Sequence, residues 1–329
     1  MKQGRRSLPH LKGNTAIWGI TGGRRGNDVL VEGVARTLQP TDFRLIHTDL
    51  KPPHKWLAPY RLAEGAAKRD PQIAPPFPDI VIASGRQAVP HARYIKSASA
   101  GRVFTVFLQD PIICPRHFDF VWAPAHDRLD ATMSTLLSPH GLTPDSIKAA
   151  GDEMRARLLP EKPGGKAVAV LIGGPNSAYP FGVDEMQRLA NGLAAIAAEG
   201  HYLMITLSRR SPEAYADLLR AALPADGFFL WDNTGDNPYQ AMLGLATHAI
   251  ATSDSVNMVG EACLPGVPVQ VFRLRGKAGK FERFHTALTA ADITRPFTDK
   301  LEAWATQPHN ATPDIAAAIA EAYSAHKNI

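Results

Sequence analysis

The sequence predicts an α/β protein of two domains, each built on a parallel β-sheet. Its 329 residues exceed the size at which a single hydrophobic core usually stops growing. Short apolar runs alternate with amphipathic helical patterns along the chain, as is typical of parallel α/β architecture. A Pro- and Gly-rich stretch at 158–165 interrupts this alternation, which then starts again. We therefore expect domains at residues 1–160 and 161–329.

The first half is expected to contain five strands joined by helices. Apolar runs place the strands at residues 15–20, 43–46, 78–83, 102–108 and 118–122. Apolar residues at helical spacing predict a helix over 28–38. A second helix is expected to open near Ser84 or Gly85.

The second half repeats the pattern with five more strands. These are expected at residues 166–172, 202–206, 228–231, 248–251 and 267–272. Helices are expected at residues 184–199, 212–222, 239–245, 256–263 and 313–326. Two such halves joined by one linker are expected to form a cleft, which is where folds of this kind bind ligands.

Charge is unevenly distributed between the halves. Residues 1–159 carry 22 Lys and Arg against 14 Asp and Glu, whereas the remainder carries 14 against 17. A basic first half favours an anionic partner such as a phospholipid or an envelope glycan, although basic side chains also simply solvate a surface. Aromatic residues are not interleaved with the basic runs as in a stacking platform, so we expect no nucleic-acid partner.

The cellular compartment is predicted from sequence features of exported and membrane proteins that are missing here. Two cysteines are too few for a disulfide framework, which favours a reducing environment. The basic stretch at 1–14 has no apolar run of the kind that a secretory signal needs. No stretch approaches the ~20 apolar residues that span a bilayer. We expect a cytoplasmic protein whose membrane contact is at most peripheral, at the inner face.

Two loops of the second half have the composition of a phosphate site. Gly173 and Gly174 follow its first strand, where glycines let backbone N–H groups approach a phosphate. The alternative is a tight turn that binds nothing. Ser208, Arg209 and Arg210 follow the next strand, and an arginine there can pair with a diphosphate. The alternative is a solvated pair. No Walker Lys-Ser/Thr follows the glycines, which argues against a P-loop nucleoside triphosphatase.

A third polar loop precedes the helix expected at 256–263. Ser253, Asp254 and Ser255 follow a strand, and either serine can cap that helix and present its N-terminus to an anion. Glu261 lies seven residues after Asp254. A carboxylate there can accept both ribose hydroxyls of a nucleotide, but an ordinary surface glutamate fits the spacing equally well.

The first half offers weaker candidates. Gly22 and Gly23 follow its first strand without the spacing of a dinucleotide fingerprint. His126 and Asp127 follow its fifth strand and are a candidate general base, although a lone histidine is more often structural. Cys114 and the histidines near it could supply part of a zinc site, but no second cysteine-rich segment completes it. We therefore expect no zinc and no other metal.

Several blocks of the sequence, taken in order, resemble one known family. They are residues 82–87 (with Gly85 and Arg86), 108–111, 118–127, 171–175, 208–212, 237–239 (beginning with Asn237), 252–255, 261–262 and 281–285. The chain is similar over nearly its whole length to the bacterial relatives of the plant mitochondrial-fission Elm protein, which are described as glycosyltransferases.

The resemblance implies a GT-B fold, in which two Rossmann-like domains face each other across a cleft. It places the nucleotide diphosphate of a sugar donor in the second half, with Glu261 holding the ribose ahead of Gly266 and Pro268. It implies no metal and no bound cofactor, because helix dipoles and basic residues stabilise the leaving diphosphate. It also implies that the last helix, 313–326, packs back towards the first domain.

Three functions are consistent with these observations. The leading one is a metal-independent, nucleotide-sugar-dependent glycosyltransferase acting on an envelope or lipid-linked acceptor. The second is a non-catalytic GT-B scaffold that acts as an adaptor in membrane division. It is favoured by the loop at 26–30, which departs from the Gly-His-Glu-Asn-Gln typical of the family. The third is a nucleotide-sugar epimerase of the GT-B type, which would need further carboxylates in the cleft.

Overall fold

The computed structural model describes residues 11, 13–60, 63–160, 165–231, 233–276 and 279–328. The basic stretch at 1–10 and the centre of the expected linker, 161–164, lie outside these residues. The α/β class is confirmed, because the chain folds into two six-stranded parallel sheets. Each sheet belongs to its own compact unit. The first unit comprises residues 1–141 and 311–329, and the second comprises 142–310.

The sheet of the first unit has the strand order β2-β1-β3-β4-β5-β6. Its strands are β1 Ala16–Thr21, β2 Asp42–His47, β3 Ile80–Ser84, β4 Phe104–Leu108, β5 Phe120–Pro124 and β6 Met133–Thr135. Its helices are α1 Arg25–Thr37, α2 His54–Leu57, α3 Glu64–Ala67, α4 Val89–Ala98 and, from the end of the chain, α11 Thr312–Lys327. The five predicted strands are confirmed, and β6 was missed.

The sheet of the second unit has the strand order β12-β11-β10-β7-β8-β9. Its strands are β7 Ala167–Ile172, β8 Tyr202–Leu207, β9 Phe228–Trp231, β10 His248–Thr252, β11 Val269–Phe272 and β12 Thr294–Pro296. Its helices are α5 Pro144–Leu158, α6 Val183–Ala198, α7 Ala214–Ala222, α8 Tyr239–Leu245, α9 Val256–Ala262 and α10 Lys280–Ala290. The five predicted strands are again confirmed, whereas α5, α10 and β12 were missed.

The units divide before α5, not at residue 160 as the sequence suggested. Helix α5 belongs to the second unit because it packs closely against α8. A Cβ on Gly244 of α8 would lie only 1.9 Å from the carbonyl oxygen of Ile147, so the two helices touch backbone to backbone. The Pro- and Gly-rich stretch therefore lies within the second unit, between α5 and β7.

Helix α11 groups with the first unit, far from its neighbours in sequence. The Thr312 hydroxyl donates to the His140 carbonyl at 2.9 Å and accepts from the His140 N–H at 2.9 Å. One turn from its end, the Tyr323 ring lies 5.8 Å from the ring of Phe104 on β4. The first unit is therefore completed by the end of the chain.

Each sheet has a point at which the chain reverses the direction in which it adds strands. In the first sheet this switch point lies between β1 and β3, and in the second between β7 and β10. Loops at the carboxyl ends of such strands diverge and leave a crevice, which is the usual ligand site of open parallel sheets. Helices cover both faces of these sheets, and β3, β4, β5, β7 and β10 are buried at every residue.

Candidate functional site

The loops at the switch point of the second sheet are joined by hydrogen bonds. The Gly173 N–H donates to the Thr252 hydroxyl oxygen at 2.8 Å, and the Gly174 N–H donates to Asp254 Oδ2 at 3.0 Å. The Thr252 hydroxyl in turn donates to Asp254 Oδ1 at 2.6 Å. Asp254 therefore holds the loop after β7 against the loop after β10.

Arg210 adds the loop after β8 to this network. Its guanidinium donates to Asp254 Oδ2 at 2.9 Å and to the Gly174 carbonyl at 2.9 Å. Burial raises the pKa of Asp254, although hydrogen bonds from Thr252, Gly174 and Arg210 act in the opposite direction. The carboxylate is thus a buried group that accepts hydrogen bonds from donors on all three loops.

These contacts give the glycines and Arg210 a structural role. The two N–H groups expected to face a phosphate already donate to Thr252 and Asp254. A Cβ on Gly174 would lie 2.6 Å from the backbone of Arg210, so close approach of the loops requires glycine. Arg209, by contrast, is exposed beside this network. Binding of a substrate by any of these residues stays a prediction.

The serines after β8 close the same loop. The Ser211 hydroxyl donates to the Gly173 carbonyl at 2.6 Å and lies 3.1 Å from the Ser208 hydroxyl. The Ser208 hydroxyl also accepts from the Arg210 N–H at 3.2 Å. The sequence did not point to Ser211 or Thr252. For Ser211 a signal was present, because a second hydroxyl three residues after Ser208 is typical of a turn stabilised by side chains.

Ser253 and Ser255, which follow β10, make different contacts. Ser255 caps α9, because its hydroxyl accepts from the Met258 N–H at 3.4 Å. Ser253 is buried, and its hydroxyl accepts from the Leu274 N–H at 3.0 Å. Its carbonyl accepts from His285 Nε2 at 2.8 Å. The expectation of a serine cap is therefore confirmed at Ser255, whereas Ser253 ties β10 to the segment after β11.

Glu261 lies in the last turn of α9 and contacts α8. The Tyr239 hydroxyl donates to Glu261 Oε2 at 2.5 Å, and the Asn237 side chain accepts from the Tyr239 N–H at 2.9 Å. Burial and the neighbouring Glu261 raise the pKa of Tyr239 well above its usual value. Tyr239 thus orients the half-buried Glu261 carboxylate from the side, and α9 links it to the loop that contains Asp254.

The glycine loops of the first unit also meet at its switch point. Gly85 has a φ of +87°, and a Cβ there would lie 2.4 Å from the side-chain nitrogen of Asn27. Helix α4 therefore begins at Val89, not at Ser84 or Gly85, since Ser84 ends β3 and Gly85 has a left-handed backbone. Exposed Arg86 donates to the Lys55 carbonyl at 3.2 Å.

Gly22 and Gly23 lie on the other side of that switch point, after β1. Gly23 turns the chain with a φ of +72°, and its N–H donates to the Thr21 hydroxyl at 3.1 Å. A Cβ on Gly22 would lie 3.7 Å from the Gln87 side chain, so the loops after β1 and β3 are neighbours.

The predicted general base, His126, is buried beside Asp127. His126 is 8% exposed. Its Nε2 lies 3.8 Å from Asp127 Oδ1, which is beyond hydrogen-bond range. A catalytic role for His126 and Asp127 stays a prediction, and their geometry is that of residues packed below the surface.

A second histidine, missed by the sequence analysis, is better oriented. His47 ends β2, its side chain is 55% exposed, and its Nε2 lies 3.4 Å from Oδ1 of the buried Asp28. The Thr21 hydroxyl donates to the same carboxylate oxygen at 2.5 Å. A carboxylate fixed behind an accessible imidazole is the arrangement that orients a general base. The three residues end β1, begin α1 and end β2, so only the fold brings them together.

His47 also opens onto a cavity of the first unit. The cavity has a volume of about 370 Å³, and its lining includes Lys51, His54 and Arg69. The lining also includes Asp49 and Asp70, so this hollow combines two cations with two carboxylates beside the exposed imidazole.

The family assignment follows from comparison with known proteins. The family model described as mitochondrial fission ELM1 matches residues 25–323. The chain belongs to this family. The ELM1 resemblance seen in the sequence is thus confirmed. The mitochondrial fission protein ELM1 of Arabidopsis thaliana is 29% identical over 275 residues, which is 74% of this chain and 63% of the plant protein. The chain therefore spans less than two thirds of that relative's length.

Solved structures show that this ELM1-family chain has the GT-B fold. A proposed UDP-N-acetylglucosamine 2-epimerase from Listeria monocytogenes aligns with a TM-score of 0.57 and 13% identity, over 95% of this chain and 98% of that one. MnaA from S. aureus, solved with UDP, gives a TM-score of 0.52 and 12% identity, over 91% and 94% of the two chains. The UDP-GlcNAc 2-epimerase of Neisseria meningitidis, bound to UDP-GlcNAc, gives 0.51 and 9%, over 95% and 99%.

Two further observations bear on the site. Within the described ranges, no group of three or more His, Cys, Asp or Glu side chains is arranged to hold a metal ion. In the same part of the chain, none of the helices combines the length and the apolarity needed to cross a bilayer.

Proposed function

We propose that this ELM1-family protein binds a nucleoside-diphosphate sugar in its second unit and transfers the sugar without a metal. The observation that carries the proposal is the meeting of the loops after β7, β8 and β10 at the switch point of a parallel sheet. The GT-B fold supports it, as does the fact that relatives of the same fold were solved with UDP and with UDP-GlcNAc.

Three features of the second unit would hold the donor. Arg209 is exposed beside a network that already uses Arg210, so its guanidinium is available to a diphosphate. Glu261, oriented by Tyr239, would accept hydrogen bonds from the ribose hydroxyls. The Arg210–Asp254 pair and the two glycines would keep the loops rigid, so that binding requires little ordering.

The acceptor would lie against the first unit. His47 would accept a proton from the acceptor hydroxyl, and Asp28 would stabilise the imidazolium that forms. This assigns to His47 the role that the sequence suggested for His126. Lys51 and Arg69, which line the adjoining cavity, would contact an anionic group of the acceptor, such as a lipid-linked glycan on the cytoplasmic side of a membrane.

Calorimetric titration with UDP-, GDP- and CMP-sugars tests the donor site. We expect one class of donor to bind, and Glu261→Gln to weaken it at least tenfold, since a hydrogen bond to a charged group contributes about 1.5–3 kcal/mol. Glu199→Gln is the matched control, because Glu199 is exposed at the end of α6. Absence of heat with every donor, or equal affinity in Glu261→Gln, would contradict the proposal.

Product analysis separates transfer from epimerisation. A transferase releases the free nucleoside diphosphate as the sugar moves to an acceptor or to water. An epimerase returns a nucleotide sugar with altered stereochemistry, which proton NMR detects. We expect release of the diphosphate.

A non-catalytic scaffold is the second candidate, and one observation favours it. The Gly173 and Gly174 N–H groups and the Arg210 guanidinium all have internal partners. Groups that donate to other residues of the protein stabilise its loops and need no ligand, as expected of a scaffold that binds none. Donor binding distinguishes the two candidates, because the scaffold would bind none.

A further inference from the structure

Two aromatic side chains of the first unit project into solvent. Trp56 is 71% exposed and Tyr60 is 60% exposed. They lie four residues apart, on and just after the short helix α2. Large aromatic residues this exposed on a folded unit mark a surface that contacts a partner.

Their exposure does not reflect a loosely packed segment. Leu50, Ala58 and Ala63 are buried in a small apolar cluster of their own, and Leu57 and Ala66 pack against it. The inner side of the segment is thus closed. Trp56 and Tyr60 contribute little to it and face outward.

Basic side chains lie on the same segment and on the residues that contact it. Lys55 is exposed next to Trp56, and the exposed Arg86 donates to the Lys55 carbonyl at 3.2 Å. Arg69, also exposed, lines the same cavity as Lys51 and His54.

Two acidic residues, Asp49 and Asp70, lie in the same region. Lys51 contacts Asp49 and lowers the pKa of that carboxyl. Asp70 lies 3.4 Å from the buried His91. The Lys51–Asp49 pair adds no net charge and Asp70 is only 16% exposed, so Lys55, Arg69 and Arg86 dominate the exposed charge of this region.

The geometry points to a membrane-docking surface, formed by Lys55, Trp56, Tyr60, Arg69 and Arg86, that binds an anionic phospholipid bilayer. Trp and Tyr rings sit at the level of lipid headgroups, where their apolar body and polar edge are both satisfied. Cations beside them attract lipid phosphates, each contributing about fivefold in affinity. In the proposed function, this bilayer is the partner of the first unit. The inference rests on the proposed function only for the reason why the protein would bind a membrane.

Co-sedimentation of the full chain with vesicles tests this surface. Vesicles of phosphatidylcholine with about 30% phosphatidylglycerol should bind the protein, and vesicles of phosphatidylcholine alone should bind it about tenfold less well. Raising the salt from about 50 mM to about 500 mM should release most of it. The fluorescence difference between the wild type and Trp56→Phe should shift to the blue when anionic vesicles are added.

Variants locate the contact. Trp56→Ser with Tyr60→Ser should weaken binding at least tenfold, and Lys55→Glu with Arg86→Glu by a similar factor. Val183→Ser and Lys148→Glu are matched controls, since both residues are exposed in the second unit. Calorimetry with the nucleotide sugars, expected to be unchanged in all variants, shows that the fold is intact and separates this inference from the donor site.

Three results would overturn the inference. They are no binding of the wild type to anionic vesicles at low salt, equal binding by the Trp56→Ser, Tyr60→Ser variant, or a wild-type dimer that this variant converts to a monomer. The last result would assign the surface to a second copy of the chain.

Discussion

At the scale of single residues, the second unit depends on one buried carboxylate. Asp254 accepts hydrogen bonds from three groups on three loops, and its side chain is fully buried. Removing this carboxylate leaves the Gly174 N–H and the Thr252 hydroxyl, both buried, without their acceptor, and each such group costs free energy. Replacing Asp254 should therefore remove the hydrogen bonds that join the loops after β7, β8 and β10.

Asp254→Ala should lower the free energy of unfolding by about 2–4 kcal/mol, because two buried donors lose their acceptor. The same change at Asp152, whose contact with Lys148 is exposed, should cost less than about 1 kcal/mol. Urea unfolding followed by circular dichroism measures both. A small effect at Asp254 would mean that the loops are held by other contacts.

A second residue gives the protein a pH dependence. Burial, with Lys166 and His201 nearby, lowers the pKa of His248 to about 4. The unfolded chain takes up this proton near pH 6.5 but the folded chain only near pH 4, so stability is lost as the pH falls between these values. The loss from this residue should reach about 2–3 kcal/mol.

His248→Gln tests this dependence, because a glutamine does not titrate. The difference in urea midpoint between the wild type and the variant should change between pH 7 and pH 4.5, in favour of the variant at the lower pH. A difference that is constant over this range would show that His248 titrates alike in both states.

At the scale of elements, the sequence predicted the longer strands and missed two strands of three residues, β6 and β12, which lie at the edges of their sheets. Strands such as β7 and β10 are continuous apolar runs because helices cover both of their faces. Strand β6 has three residues and an incompletely buried pattern, so no apolar run marks it. Helix α5 buries few side chains, since its contact with α8 is made through glycine and backbone.

The candidate site, too, could be predicted only in part from the sequence. The positions of Gly173, Ser208 and Asp254 after their strands could be predicted, because local patterns mark the ends of strands. The pairing of Arg210 with Asp254, and of His47 with Asp28, depends on which strands become neighbours, and no local pattern contains that information.

Gly244→Ala probes the contact between α5 and α8. The new methyl group would meet the Ile147 carbonyl, so the helices must separate, and overpacking of this kind costs about 1–3 kcal/mol. Gly65→Ala is the matched control, because it also lies in a helix and has open space around its Cα. Thermal unfolding should show a lower midpoint for the first variant and an equal or higher one for the second.

At the scale of the whole molecule, the chain returns to complete the unit in which it began. Helix α11 buries Ile315, Ile319 and Tyr323 in the first unit, where it packs against α1 and β4. The second unit is by contrast one continuous segment, 142–310. Loss of the last helix should therefore affect the two units unequally.

Truncation after Asn310 should destabilise the first unit selectively. The three large side chains lost contribute about 1.5–3 kcal/mol each, which together approach the whole stability of an ordinary domain. Hydrogen exchange followed by mass spectrometry should show loss of amide protection in residues 13–141 while 142–310 keep theirs. Ile319→Ala, expected to cost about 2–5 kcal/mol, is the milder variant if the truncated chain aggregates. Equal loss of protection in both units would mean that they unfold as one, and that the second unit depends on the helix as much as the first.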